Sequence, residues 1–517
     1  MIRRFLAATI LFLAMGTSVV RSQESEIPDE FLTVAEKSEY KATSLSLEVE
    51  QFIDLCDAKS DLISKFEYGR TVDGKPMTAV VLAKGPYEAG KMDDRFRALV
   101  IGNIHSGECD GKEGLLEIIR NVAIQSKCSW LDNMVVIIAP NYNADGNDKV
   151  AATNRRGQVG PENGMGVRAN SQQLDLNRDF VKLESPEAQN LIRLIDKAKP
   201  HLFIDCHTTN GSKHRYPLTY DVPHNPSSPP MIRKFMRDSM MPDITSRMKG
   251  KNIDTFYYGN FDRTGKRWES YGFEPRYSTE YFGMRGGLAV LSESYSYATY
   301  KERIDASREF VKSCLDYCHD HADPIKQLID DSRSDFMAAA KSRPASVTIS
   351  LDAKMVPFAK PEVILAYNGS EPAEIEVEFW SDFEPITTTS LPFAYLLPAQ
   401  LKSSVEKLKQ HGIQVEELSS DMSFKIEFEV IKALNRSQQP FQNHSMVRLE
   451  TTQDTGERTF PAGTSVVRTA QPLGRLASYM LEARSNDGLA TWNFLDDELE
   501  VDGEFPIVRI LAPIEFK

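Results

Sequence analysis

The stretch RALVIGNIHSGECDGKEGLLEIIRNVAIQ, Arg97 to Gln125, changes character twice. RALVIGN carries a continuous apolar run without polar alternation, the pattern of a strand covered on both faces. CDGKEGLLEIIRNVAIQ reads as a helix. Between them stands IHSGE, which sets His105 and Glu108 three residues apart where the chain leaves a buried strand. A polar turn accounts for both residues; so does half of a metal site. The rest of the chain has to separate the two.

Upstream, a helical pattern from about Leu45 to Cys56 precedes SKFEYGRTVDGKPMTAVVLAKG, a hairpin turning at Asp73-Gly74. Downstream, NMVVIIAP is a strand closed by Pro140, followed by a loop rich in glycine and asparagine from Asn141 to about Asn170. A helix near SPEAQNLIRLIDKA leads to the strand HLFIDCH, and GLAVLSE is a further strand before a helix beginning near Tyr300. Buried strands alternating with helices predict an α/β domain with a mixed central sheet flanked by helices. Ligands of such sheets bind beyond the carboxyl ends of the strands. His105 with Glu108, His207 and Glu293 all fall at such ends. Past about Asp330, segments such as ASVTISLD, PEVILAYNG, AEIEVEFW and FPIVRILAP alternate with period two between Pro, Gly and Asn. They predict an all-β, sandwich-like domain interrupted by the helical LPAQLKSSVEKLKQHG. The predicted division is therefore 23–330 for the α/β domain and 331–517 for a β-rich accessory domain.

At 517 residues, 41% hydrophobic and 26% charged, the chain has ordinary globular composition and is too long for one core. The N-terminal MIRRFLAATILFLAMGTSVVRSQE places Arg3 and Arg4 before a short apolar run and small residues near Ser22. This predicts a signal peptide over 1–22, a secreted or periplasmic product, and no transmembrane segment in the mature chain. A net charge of −13 without a basic run argues against a nucleic-acid partner. Six cysteines leave any pairing open, and none lies beyond Cys318. Cys314 and Cys318, followed by His319 and His321, lie in a helical pattern where residues four apart share a face, so they read as packing. Asn368-Gly-Ser, Asn435-Arg-Ser and Asn443-His-Ser fit glycosylation sequons.

Catalytic zinc takes about three protein ligands and keeps one position open for water. His105 and Glu108 offer nitrogen and oxygen from one tight turn, with Gly107 to let the backbone bend. His207 is the natural third donor. Cys109 follows Glu108, which excludes the helix-borne HEXXH and HXXEH arrangements. Asn177 and Arg178, within DLNRDF, form an amide-guanidinium clamp for a carboxylate, with a salt bridge from Arg178 to Asp175 or Asp179 as the plainer alternative. Arg168, in GVRANSQQLDLNRDF, is placed to reach a carbonyl oxygen as it gains charge. Glu293, in GLAVLSESYSY, leaves an apolar strand, where burial raises a carboxyl pKa toward the range of a general base.

In order, HSGE, NADG, DLNRDF, DCHTTNG and LSES resemble the zinc metallocarboxypeptidases of the carboxypeptidase A and B type. The resemblance spans about Phe31 to Asp320 and includes the hairpin FEYGRTVDGKPM. It implies one Zn2+ on His105, Glu108 and His207, a substrate carboxylate held by Asn177 and Arg178, and Glu293 as base and proton shuttle. It gives Arg168 the task of polarising the scissile carbonyl, with Arg155 and Arg156 as competitors. The family's substrate-capping tyrosine falls on Tyr271, Tyr277 or Tyr281; Tyr281 is assigned the contact. Departures at Ser292-Glu293-Ser294 and from Asp205 to Asn210 bear on specificity. The implied activity is that of an exported zinc carboxypeptidase acting on a peptide or peptide-like substrate with a free C-terminal carboxylate. Alternatives are an N-acyl amino acid deacylase of the aspartoacylase type, a peptidoglycan-peptide amidase, or a binding protein that has kept the fold without turnover.

Overall fold

The apolar runs become strands because both of their faces are covered. In the computed structural model the described residues are 27–514 apart from Met92 and Ser126, so the leader read at 1–22 lies outside them. Strands β1 (Ile63–Arg70) and β2 (Pro76–Leu82) form an antiparallel hairpin, whose turn needs Gly74 at φ 80°. They are followed by β3 (Phe96–Gly102), β4 (Met134–Ala139), β5 (Leu202–Thr209), β6 (Leu218–Asp221), β7 (Thr255–Tyr257), β8 (Asn260–Phe261), β9 (Arg267–Glu269) and β10 (Leu288–Tyr295). Eight of these make one mixed sheet in the order β1-β2-β4-β3-β5-β10-β6-β7. Its centre, β4-β3-β5-β10, is parallel.

Alternate residues of the central strands feed two cores. Ala98, Val100, Ile138, Ile204 and Val290 face the helices Ser46–Lys59, Asp110–Ile124 and Tyr300–Asp320. Leu99, Ile101, Ile137, Phe203 and Ala289 face the helix Pro186–Ala198 on the other side. Ser185 caps that helix through the Ala188 N–H at 3.1 Å, with Pro186 in its first turn. Cys314 and Cys318 are buried in the first of these cores, and all six cysteines are unpaired thiols.

The helix Asp110–Ile124 is buried almost all round, although its first turns carry Asp110, Lys112, Glu113 and Glu117. Each charge has partners. Glu113 accepts from Thr43 Oγ1, Ser44 N and Ser44 Oγ at 2.7–3.0 Å, and Lys112 donates to Asn147 Oδ1 at 2.7 Å. Asp110 accepts from Thr208 Oγ1 at 2.6 Å and from Arg303 Nε at 3.2 Å, and also binds the Ser294 hydroxyl. Gly111 lets this helix approach β5, since a side chain there would meet Cys206 Cβ at 2.6 Å.

The β-rich C-terminal region is present, but it is not set off at residue 330. The helix Ala322–Ser342 runs through that position. Its Ile325 and Ile329 join the helix-side core of the sheet, and its Phe336 and Ala340 pack with Tyr479. Beyond it come β11 (Thr348–Pro357), β12 (Glu362–Asn368), β13 (Glu371–Ser390), β14 (Ala394–Leu397), β15 (Glu416–Glu417), β16 (Met422–Arg436), β17 (Val447–Phe460), β18 (Ser465–Arg468) and β19 (Val508–Ile510). β13 lies between β11 and β9, so one sheet draws strands from both sides of the expected boundary. The other is antiparallel, in the order β15-β18-β14-β19-β16-β17. Tyr395, Leu397, Leu408 and Trp492 join the core that holds Leu191 and Phe203. Among the described residues, no helix is long and apolar enough to cross a membrane.

Candidate active site

β4 and β5 lie on opposite sides of β3, so the chain reverses direction across the sheet between β3 and β5. Such a switch point opens a crevice at the carboxyl ends of the strands. After Gly102, Asn103 takes a left-handed conformation, φ 66°, and its amide donates to Asn141 Oδ1 and Asn147 Oδ1 at 2.7 and 2.9 Å. The next residues form a turn in which Glu108 N–H donates to His105 O at 2.8 Å. Ser106 Oγ ties this turn to Asn143 O at 2.6 Å, which is how the NADG segment supports HSGE. Gly107 is not in the left-handed region. Its role is space, because a Cβ there would collide with Arg155 Cδ.

The structure brings His105, Glu108 and His207 together, all buried. His105 Nδ1 is 3.2 Å from Glu108 Oε2, His207 Nδ1 is 3.0 Å from the same oxygen, and the two Nδ1 atoms are 3.2 Å apart. For bonds of about 2.0–2.1 Å, a tetrahedral metal spaces its ligands by about 3.3 Å. The outer nitrogens face carboxylates: His105 Nε2 is 2.9 Å from Asp175 Oδ1, and His207 Nε2 is 2.9 Å from Asp205 Oδ2. A proton on each Nε2 satisfies those carboxylates and leaves two Nδ1 lone pairs and one carboxylate oxygen converging on a common point. That donor set could hold a cation. Among the described residues, it is the one group of three such side chains that could hold a metal.

The surrounding carboxylates draw positive charge to the site. Burial alone would lower the His207 pKa, yet the carboxylates of Asp205, Glu108 and Glu293 drive it well above the usual histidine range. Burial likewise opposes ionisation of Glu108, but His105 and Arg155 hold it well below the ordinary glutamate value. Glu293, level with His207 across the β5–β10 ladder, lines the cleft. Desolvation pushes its carboxyl up to about 8, despite the nearby His207 and Arg168.

The cleft encloses about 410 Å³. Arg178 reaches into it with its guanidinium 4.4 Å above the Tyr277 ring and its Nη1 donating to Asn177 O at 2.7 Å. Asp175 is 4.0 Å from Arg178, too far for a hydrogen bond, and no ion pair joins Arg178 to Asp179 among the described contacts. Asn177 Oδ1 accepts the Ser278 N–H at 2.8 Å, and its amide nitrogen lies 3.4 Å from His207 Nε2. Arg168 and Arg155 both line the cleft: Arg168 Nε donates to Asp175 Oδ2 at 2.8 Å, and Arg155 Nη2 to Glu108 Oε1 at 2.8 Å.

Tyr281 is a correction. Its ring is fully buried against Phe180, and its hydroxyl bonds His411 Nδ1 at 2.7 Å, away from the cleft. The tyrosines that line the cleft are Tyr258, Tyr271 and Tyr277. Sequence reasoning overlooked Asp205 and Tyr258 and read Asp175 only as a partner for Arg178. Asp205 was within reach, since residues two apart on a strand share a face and Asp205 precedes His207 by two.

Comparison with known proteins adds a lineage. A family described as zinc carboxypeptidase matches residues 49–265, a span that holds His105, Glu108, Asp175, Asn177, Arg178 and His207. Carboxypeptidase 2 of Trichophyton rubrum is 21% identical over 457 residues, 80% of this chain and 77% of that one. Carboxypeptidase Z of Mus musculus is 30% identical over 135 residues, 24% of this chain and 19% of that one. A metallo-carboxypeptidase from Burkholderia cenocepacia superposes with a TM-score of 0.39 at 15% identity, covering 52% of this chain and 68% of that one. The chain thus carries a zinc carboxypeptidase domain over residues 49–265.

Proposed function

We propose that this metallocarboxypeptidase removes the last residue from peptide or peptide-like substrates with a free C-terminal carboxylate, using one zinc ion. The observation that carries the reading is the convergence of two imidazole lone pairs and a carboxylate beside an Asn-Arg pair and a desolvated glutamate, in one cleft. His105, Glu108 and His207 would hold the ion, with Asp175 and Asp205 fixing the two imidazoles from behind. When bound, zinc lowers the pKa of a coordinated water and polarises a carbonyl oxygen.

This chain's own residues supply the rest. Arg178 and Asn177 grip the terminal carboxylate, which sets the scissile bond at a fixed distance from the chain end and makes cleavage exo-acting. The Glu293 carboxylate takes the proton of the attacking water and returns it to the leaving amine nitrogen. Arg168, with Arg155 beside it, faces the carbonyl oxygen as negative charge develops there. A tyrosine of the cleft wall (Tyr258, Tyr271 or Tyr277) covers the substrate. The leader at 1–22 directs export, so the enzyme acts outside the cytoplasm.

The test is a peptide panel assayed with and without a chelator. Peptides with free C-termini are expected to lose single residues from that end, with cleavage abolished by amidation or by the chelator. Blocked dipeptides should be cleaved and N-acyl amino acids left intact. Equal cleavage of free and amidated peptides would overturn the carboxylate clamp.

A further inference from the structure

The loop joining β16 to β17, residues 437–446, belongs to the C-terminal region outside the family match, yet it reaches the back of the metal centre. Gln442 Oε1 accepts the backbone N–H of Asp175 at 3.0 Å, across 267 positions of sequence. The Asp175 side chain is the one that receives His105 Nε2, Arg168 Nε and the Asn177 N–H. Asp175 is thus gripped through its backbone by the C-terminal region while its carboxylate orients a metal ligand and the start of the clamp.

The loop is itself rigidly built. Gln442 and Asn443 take left-handed conformations, φ 50° and 66°, closed by reciprocal backbone hydrogen bonds between Phe441 and His444 at 2.9 and 3.0 Å. His444 anchors it on both sides, with Nε2 at 2.8 Å from Glu184 Oε1 and Nδ1 at 3.0 Å from Asn493 Oδ1. The same region holds a second segment of the site. Asp487 Oδ2 accepts the Arg276 N–H at 2.7 Å, and the Arg276 guanidinium lies 5.1 Å from the Trp492 ring and 5.5 Å from Phe441. Arg276 directly precedes Tyr277, which lies under Arg178, and Ser278, which bonds both Asn177 and Asp205. Both carboxylates behind the metal-facing histidines are therefore steadied from the C-terminal region.

We propose that the 437–446 loop is a positioning part of the active site, with Gln442 fixing Asp175 and through it His105 and the Asn177–Arg178 clamp. This rests on the zinc and carboxylate reading above. A loop that merely docks for stability would change the unfolding temperature and leave the folded site as it was. A positioning residue changes the affinity of the folded chain for metal and substrate.

The experiment uses the full chain carrying Gln442→Met, which keeps length and volume without the acceptor, and Gln442→Glu, which keeps a side-chain oxygen. Three quantities are read: the Zn2+ dissociation constant of the metal-free protein by competition with a chromogenic chelator, KM and kcat on a free-C-terminus peptide, and the thermal midpoint. Loss of a partner behind a metal ligand weakens metal binding or activity by about 10–100-fold, so Gln442→Met should weaken Zn2+ binding by about tenfold and raise KM more than it lowers kcat, at a near-native midpoint. Gln442→Glu should restore most of both. Wild-type zinc affinity and KM in Gln442→Met would overturn the proposal, as would equal impairment in both variants. A parent chain that takes up no zinc would overturn the functional reading beneath it instead.

Discussion

The base role proposed for Glu293 rests on its place near the end of β10. Removal from water, with Glu108 and Asp205 nearby, pushes its carboxyl up to about 8, and His207 and Arg168 oppose the shift. A bound cation opposes it further, so the acid limb of kcat/KM should lie between the ordinary glutamate value of 4.5 and about 8, with activity rising as pH rises through it. Glu293→Gln should lower kcat by about 10²–10⁴-fold and abolish that limb while zinc content stays unchanged. Near-native turnover in that variant would contradict the assignment. That His105, Glu108, His207 and Glu293 line one cleft was legible in the sequence, because all four stand at or just past strand ends. Tyr281 was not, because what pulls it out of the cleft is His411, 130 positions away, for which no local pattern gives a sign. Gly107 was read as a hinge and acts as a gap for Arg155; only the folded arrangement reveals that difference.

Among the elements, Asp110 joins four: it opens one helix and binds Thr208 on β5, Ser294 on β10 and Arg303 on the helix Tyr300–Asp320. Asp110 and Arg303 are both fully buried. Arg303 also donates to Val159 O and Ala298 O at 2.6 and 2.8 Å and to Gly160 O at 3.0 Å. Removing one partner of a buried ion pair strands the other, which costs about 3–5 kcal/mol, so Arg303→Met should lose about that much in denaturant unfolding. A change below about 1 kcal/mol would show that Asp110 is satisfied without it. The strands and principal helices of the α/β region were readable because their apolar runs and capping residues agree with the fold. The buried charges of Asp110–Ile124 were not. In the sequence they look like a solvated face, and only the positions of Thr43, Ser44, Asn147 and Arg303 make their burial tolerable.

At the scale of the whole molecule, the regions on either side of residue 330 share a sheet, a helix and a core. Sequence composition registers the change to short alternating strands and is blind to β13 pairing with β9. His411 lies on this junction, with Nδ1 taking the Tyr281 hydroxyl and Nε2 donating to Val181 O at 3.0 Å. Burial, helped by Lys407 and Arg285, lowers its pKa from 6.5 to about 3. The folded state therefore keeps it neutral where the unfolded chain binds a proton. Its contribution is complete above about pH 6.5 and is lost as pH falls toward 3. Burial lowers His201 and His214 in the same direction, to about 3 and about 4. Between pH 7 and pH 5 the thermal midpoint of the parent chain should fall more steeply than that of His411→Gln. Parallel curves would remove His411 from the junction's pH response.

Metal content bears most directly on the claim that three side chains share one ion. The purified full chain, stripped and then dialysed against Zn2+, is expected to retain one equivalent, measured by elemental analysis. His105→Ala and His207→Ala should each retain little, and Glu293→Gln should retain the full equivalent. A parent chain that holds no zinc, or histidine variants that hold as much as the parent, would contradict it.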